Sequence, residues 1–349
     1  MSEHFVREIE IKNFKCFQDF KAEGFGRVNL IGGKNNVGKT AFMEACYLSQ
    51  ASSPTKLYTK LLEIDTHRDV INNLLFLPKN REEAFRKLVR KYTKLSISLN
   101  IEAEEPNNPE HKYPIGLVEI KENSQKGNVH IYTKYDMRHQ GDQESMHYSY
   151  SDLVMRLDFN IKNARYQFSK NFISSYSNSN RELETIIGDS KLNDNKYETL
   201  NKHLLEVFNV TSIDIIKNKP MIKSDGKYKE LSQLGQGIKT FINIIASILL
   251  LKDDFIFIDE IENGIHYTNL DKLWEIILTI SKEANVQVFA TTHSKECIES
   301  YARVAKKLED EEITFIELGR NKENKLDSTV MDSEMFQRFI ALGNEVRGW

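Results

Sequence analysis

Leu30-Ile31-Gly32-Gly33-Lys34-Asn35-Asn36-Val37-Gly38-Lys39-Thr40 is the stretch from which the fold can be read. Gly33 is followed by four residues and then by Gly38-Lys39-Thr40, the spacing of a phosphate-binding loop. Residues 28–31 are an apolar run, which predicts a strand that delivers the chain into the loop. The glycines let the backbone curl, so that the successive N–H groups of Gly33, Asn35, Asn36, Val37 and Gly38 point at one anion. A helix predicted over 39–48 adds partial positive charge at its N-terminus. Lys39 is placed to reach the β- and γ-phosphates of a nucleotide, and the Thr40 hydroxyl to ligate Mg²⁺. A glycine- and asparagine-rich turn before an ordinary helix is the rival reading. It is disfavoured by the apolar strand before the loop and the Ala41-Phe42-Met43-Glu44-Ala45 helix after it.

The chain of 349 residues is long enough for one large domain or two modest ones. It is 40% hydrophobic and 28% charged, the balance of a globular protein that is neither disordered nor fibrous. A net charge of −3 gives no global basic field to draw it to nucleic acid or a membrane. Cys16, Cys46 and Cys297 lack metal-ligand spacing and predict reduced thiols in a cytoplasmic protein. The polar Met1-Ser2-Glu3-His4 does not read as a signal peptide. The longest apolar run, 241–251, contains Asn243 and is too short to span a bilayer, so no membrane contact is expected.

Residues 5–31 read as a β-meander, with a turn at Asn13-Phe14-Lys15 and Lys15 near phosphate or on a plain surface hairpin. Residues 52–95 read as a helical insertion split by Pro78. Within it, 81–94 carries apolar residues on one face and Arg86, Lys87, Arg90, Lys91 and Lys94 on the other, a solvated face in preference to a DNA contact. Strands are predicted over 95–101, 115–120, 129–135, 154–161 and 165–172, with polar hairpin ends at 104–112 and 140–144. A Ser/Asn-rich break at 174–180 leads to helix over 181–207, interrupted near 188–195. A short hairpin turning at Asp225-Gly226 follows.

The second block of motifs lies beyond residue 230. Phe255-Ile256-Phe257-Ile258-Asp259-Glu260 reads as a buried parallel strand that ends in two acids, where open α/β sheets place ligands. Asp259 suits Mg²⁺, and Glu260 suits the base that orients an attacking water. Ser232, Gly235 and Gly237 stand before a strongly apolar helix, a second anion cradle at a helix N-terminus. One nucleotide does not need two cradles, so this one is assigned to the nucleotide of a second subunit. Val288-Phe289-Ala290-Thr291-Thr292-His293-Ser294 is a strand ending in hydroxyls and a histidine that can sense a γ-phosphate. Glu262-Asn263-Gly264-Ile265-His266 is a polar turn suited to a subunit interface, with a capping turn as the alternative.

These blocks, in this order, resemble the ABC-type ATPase heads of the RecF, SMC and OLD group, and in particular the compact AAA-family ATPases of bacterial phage-defence operons. The resemblance covers residues 1–50 and 210–349, with the closing Asn344-Glu345-Val346-Arg347-Gly348 also similar. It implies an α/β fold: an ABC-type P-loop ATPase head with a mixed sheet, an antiparallel β subdomain and a helical insertion. It divides the chain into an N-terminal lobe (1–51), an insertion (52–209) and a C-terminal lobe (210–349). By motif it makes residues 33–40 Walker A, Asp259 Walker B, Glu260 the catalytic base, His293 the switch histidine, Lys39 a catalytic cation, and Ser232, Gly235 and Gly237 the signature. An extra residue separates Ser232 from the glycines, and a Q-loop glutamine is not fixed, Gln167 being one candidate.

The resemblance further implies ATP and Mg²⁺ as cofactors and a head-to-tail homodimer, or larger oligomer, that sandwiches ATP. OLD proteins add a TOPRIM nuclease. The stretch after His293 is too short for one, and Glu309-Asp310-Glu311-Glu312 reads as a solvated charge run, so any nuclease is expected on a separate effector. Three outputs stand: a regulatory ATPase paired with an effector in antiviral defence, an ATP-dependent clamp on a toxic effector with little turnover, and a RecF-like repair ATPase that binds DNA.

Overall fold

The computed structural model describes residues 5–51, 94–102, 112–123, 128–137, 140–149, 171–174 and 180–343, with a few isolated positions between 56 and 92. In chain order the strands are β1 (Glu8–Phe14), β2 (Phe17–Glu23), β3 (Val28–Gly33), β4 (Ser96–Glu102), β5 (Lys112–Asn123), β6 (Asn128–Met137), β7 (Gln140–Ser149) and β8 (Phe172–Ile173). They continue as β9 (Ser212–Ile216), β10 (Lys219–Ser224), β11 (Lys227–Glu230), β12 (Asp254–Ile258), β13 (Val286–Thr291), β14 (Ile313–Arg320) and β15 (Leu326–Met331). The helices used below are α1 (Lys39–Ser49), α2 (Asn180–Lys191), α3 (Asp194–Phe208), α4 (Gln236–Leu250), α5 (Leu270–Glu283), α6 (Lys295–Lys307) and α7 (Ser333–Ala341).

The core sheet has the order β15-β14-β3-β13-β12-β8. Only β15 runs antiparallel to its neighbour; the other five strands are parallel. Every residue of β3, β12 and β13 is buried, so these strands are mostly apolar and have no solvent-facing side, and polar residues among them, Asn29, Gln287 and Thr291, are held by hydrogen bonds. Their side chains sort by alternation. Ile256 and Ile258 of β12, with Val286, Val288 and Ala290 of β13, face the core built by α2 to α7. Phe255, Phe257 and Phe289 face the opposite core.

That second core lies between the core sheet and a six-stranded antiparallel sheet of order β2-β1-β4-β5-β6-β7. Helix α1 is held between the two sheets, with Phe42, Met43, Ala45 and Leu48 buried there. The expected meander is corrected by this topology. β1 and β2 form the hairpin, but β3 leaves it for the centre of the core sheet. The antiparallel sheet joins residues on both sides of position 51, because β1 pairs with β4.

Other expectations shift in the same way. The polar tip expected at 140–144 is part of β7, which pairs with β6 and is the last strand of the antiparallel sheet among the described residues. The hairpin expected over 211–230 is a three-stranded sheet, β11-β10-β9, whose two-residue turns at Lys217-Asn218 and Asp225-Gly226 adopt positive φ. The expected break between helices falls between α2 and α3. The strand expected over 154–161, most of the one over 165–172, most of the 81–94 helix, Gln167 and residues 344–348 lie outside the described residues. Among the described residues, no helix is long and apolar enough to cross a membrane.

Two buried polar side chains tie the layers together. Gln287 of β13 donates to the carbonyls of Val6 (2.9 Å) and Gly26 (2.7 Å) and accepts the Val6 N–H (2.8 Å). Arg27, at the entrance to β3, donates to Asp310, to Glu312 (3.0 Å), to Ser281 and to the Leu278 carbonyl (3.2 Å). It thereby joins the end of α5 to the start of β14. The acidic run 309–312 is therefore not wholly solvated: Asp310 is buried against a guanidinium that sequence spacing alone does not reveal. Removing one member of a buried ion pair leaves the other uncompensated. Arg27→Ala is expected to lower folding stability by about 3–5 kcal/mol, read as an earlier midpoint in denaturant unfolding. Surface Lys325→Ala, whose ion pair with Glu323 is exposed, serves as the near-neutral control.

Candidate active site

β3 ends in Gly33, whose φ of 135° is closed to side-chain-bearing residues. A Cβ there would also overlap the Leu318 carbonyl of β14. The loop then turns through Asn36 (φ 61°) into Gly38, which caps α1 without any side-chain hydrogen bond. No acid stands in the first turn of α1. The orphan N–H groups of the helix are thus presented to an incoming anion. Lys39 Nζ folds back over the loop and donates to the carbonyls of Gly33 (2.7 Å) and Lys34 (2.9 Å). Burial lowers the Lys39 pKa, opposed by the nearby carboxylates of Glu262, Asp259 and Glu260.

The β1–β2 hairpin tip leans on this loop: a Cβ on Gly38 would lie 2.8 Å from Cys16 Sγ. Lys15 at that tip is paired with Glu44 of α1. Burial raises the Glu44 carboxyl, with Lys15 opposing the shift.

Strands β3, β13 and β12 end side by side, with Ile31 opposite Thr291 and Ala290 opposite Ile258. The acids after β12 therefore meet the loop after β3. Thr40 Oγ1 lies 3.4 Å from both carboxylate oxygens of Asp259. Thr291 donates its hydroxyl to Asp259 Oδ1 (2.7 Å) and accepts the Glu260 N–H (2.8 Å). Glu260 has a φ of 52°. A left-handed conformation in a non-glycine residue costs on the order of 1–3 kcal/mol and marks sites where geometry is enforced. Asp259 is buried; Glu260 and Thr40 reach solvent.

His293 follows β13 on the same edge. Its Nδ1 lies 3.3 Å from Glu262 Oε1 and 4.0 Å from Glu260 Oε1, and its main-chain N–H donates to Glu262 Oε1 (3.0 Å). Glu262, within the turn expected at a subunit interface, points toward its own chain's histidine. Its side chain is 10% exposed. Ser294 caps α6 through the Cys297 N–H (3.1 Å), which fixes the exit of the chain from His293.

At the start of α4, Ser232 and Gly235 are exposed and Gly237 is buried. A 3₁₀ turn over Leu231–Gln233 stands between Glu230 and the glycines. The Ser232 hydroxyl donates to Glu230 Oε1 (2.6 Å). A Cβ on Gly237 would overlap the Gly264 carbonyl, so the helix start is pressed against the turn that follows Glu262. Phe172, the last residue of the strand expected over 165–172, lies in β8, which borders the acids. β8 lies beside β12, and the Asp259 N–H donates to the Ile173 carbonyl (2.8 Å). Ser174 thus follows directly on the strand that borders Asp259.

A family model described as "AAA domain, putative AbiEii toxin, Type IV TA system" matches residues 28–299. An "ATP/GTP phosphatase" of Helicobacter pylori is 26% identical over 328 residues, covering 84% of this chain and 86% of that protein. An uncharacterized protein of Methanocaldococcus jannaschii is 31% identical over 115 residues, 33% of this chain and all of that protein. Among solved structures, the Smc head domain of Pyrococcus furiosus, bound to the C-terminal domain of ScpA, overlays with a TM-score of 0.52 at 11% identity. The overlay covers 97% of this chain and 99% of that one. That likeness shows the fold. With the family match spanning residues 28–299, the chain belongs to this AAA-domain family of ATPases and has the fold of an SMC head.

Proposed function

We propose that this ATPase binds Mg²⁺–ATP at the edge formed by β3, β12 and β13, closes head to tail with a second copy around the nucleotide, and opens on hydrolysis. The observation that carries this reading is the convergence of Lys39, Thr40, Asp259, Glu260 and His293, drawn from three separate segments, on one sheet edge. In it, the N–H groups of residues 33–38 cradle the phosphates, and Lys39 exchanges its two carbonyls for phosphate oxygens. Thr40 and Asp259 offer a hydroxyl and a carboxylate, hard oxygen donors that fit Mg²⁺. Among the described residues no three His, Cys, Asp or Glu side chains form a ready-made metal cage, so the ion would be held jointly with the phosphates. When bound, it neutralises charge developing on the phosphoryl oxygens. Glu260 orients the attacking water and takes its proton, and His293 contacts the γ-phosphate side.

The second copy's nucleotide would meet Ser232 and Gly235 at the exposed start of α4. Close by, His266 and Tyr267 stack at 4.5 Å, and Tyr267 is 66% exposed. An aromatic pair left in solvent beside that cradle supports an interface there. The toxin–antitoxin wording of the family description and the ScpA-bound Smc head support coupling of the cycle to a separate effector, in phage defence. Three free cysteines suit a cytoplasmic setting.

Lys39→Ala is expected to abolish nucleotide binding in isothermal calorimetry; affinity close to wild type would contradict the cradle. Glu260→Gln is expected to lower kcat by about 10²–10⁴-fold, the usual worth of a general base, while retaining ATP affinity. The same variant should elute as a dimer on a sizing column only when ATP is present. Turnover near wild type would remove Glu260 from the base role.

A further inference from the structure

Glu262 is the acid of the 259–262 turn that no phosphate or metal role requires. It is nonetheless nine-tenths buried. One of its oxygens, Oε1, receives the His293 N–H at 3.0 Å and lies 3.3 Å from His293 Nδ1. The other, Oε2, is buried with no hydrogen-bond donor among the described residues. A buried carboxylate oxygen left unsatisfied is costly, and such groups persist where they serve a site. The turn that carries Glu262 is closed by the N–H groups of Asn263 and Ile265, bonded to the carbonyls of Glu260 and Glu262. Its carboxylate is thus held at fixed range from the histidine. It also lies behind Lys39, where it heads the carboxylates that counter that lysine's desolvation.

Resting on the ATPase reading above, we propose that Glu262 is the positioning residue of His293: its Oε1 holds both the main-chain N–H and the Nδ1–H of the histidine, which leaves Nε2 as the ring atom offered to the nucleotide. A carboxylate on one ring nitrogen sets which tautomer the other presents. The two glutamates flanking His293 then divide the work. Glu260, exposed and 4.0 Å away, is free to meet water, whereas Glu262 faces inward and aims the ring.

The test uses the full chain labelled with ¹⁵N-histidine and free of nucleotide, with His293→Gln to assign the resonance. Wild type is expected to show His293 protonated at Nδ1 and unprotonated at Nε2. Glu262→Ala should convert it to a mixture, while Glu262→Gln, which keeps an acceptor of the same size, should retain the wild-type tautomer. In turnover assays Glu262→Ala should lose about 10–100-fold in kcat, the usual range for an outer partner of a site histidine. ATP affinity should hold or tighten, because a negative charge near the triphosphate has been removed. Glu262→Gln should recover part of the loss. The double variant Glu262→Ala/His293→Ala should be no slower than His293→Ala alone, because a residue acting through another adds nothing once that other is gone. An unchanged tautomer in Glu262→Ala, or losses that multiply in the double variant, would overturn the assignment. Absence of ATP turnover in the wild type would instead sink the ATPase reading, while the tautomer comparison would still decide what Glu262 does to His293.

Discussion

Thr291 donates its hydroxyl to Asp259 and accepts the main-chain N–H of Glu260, so one side chain at the end of β13 fixes both acids at the end of β12. A hydroxyl is the smallest side chain that can donate to one group and accept from the next at once. Its reach works only because β12 and β13 are parallel and in register, Ile258 beside Ala290. The same register carries on into β3, with Thr291 beside Ile31 and the Thr292 N–H bonded to the Ile31 carbonyl at 3.0 Å. Loop, acids and histidine are thus placed by main-chain ladders, and the side chains need only short final adjustments. The strained φ of Glu260 belongs to the same arrangement: the hydrogen bond from its N–H helps hold a conformation that a free chain would leave.

Holding that edge steady is the task of the layers behind it. α1 cannot shift without disturbing both sheets, because its buried face packs between them. Gln287 imitates a strand by offering both a donor and an acceptor to the N-terminal segment, which stitches the antiparallel layer to the core sheet. Arg27, beside it at the same end of the sheet, does the equivalent through Asp310 and Glu312. Both lie at the ends of strands remote from the phosphate loop. Rigidity at the far end leaves the loop end free to exchange partners, which the proposed nucleotide binding asks of Lys39, now bonded to the carbonyls of Gly33 and Lys34.

The phosphate loop and the acid-ended strand were legible because each rests on local chemistry: glycines for positive φ, an apolar run for a strand covered on both faces. The SMC-like head followed from their order. Contacts that join distant segments were not legible. Asp310 sits in a run of four acids, and only the fold reveals that a guanidinium from residue 27 is waiting for it. Glu262 reads as a polar turn residue, since spacing does not say whether a turn points in or out. β7 reads as a loop, because strands at a sheet edge tolerate the polarity of loops. β3 was assigned to a meander with β1 and β2 on proximity along the chain, whereas burial on both faces sends it to the sheet centre.

The start of α4 and the turn after Glu262 touch through glycines, and this contact bears on how two copies could communicate. Gly237 has no room for a Cβ against the Gly264 carbonyl, and Gly264, at φ 73°, has its own Cβ direction filled by Gln236 and the Gly237 nitrogen. Two backbones in direct contact transmit displacement with no flexible side chain between them to absorb it. Whatever seats itself on the exposed Ser232 and Gly235 therefore presses, through Gly237, on the turn that carries Glu262. Glu262 in turn holds His293. On the proposed reading, a ligand seated there would be joined to His293 by one main-chain contact and one carboxylate. That is a short enough path for occupancy of one site to alter the geometry of the other without any large movement of the head.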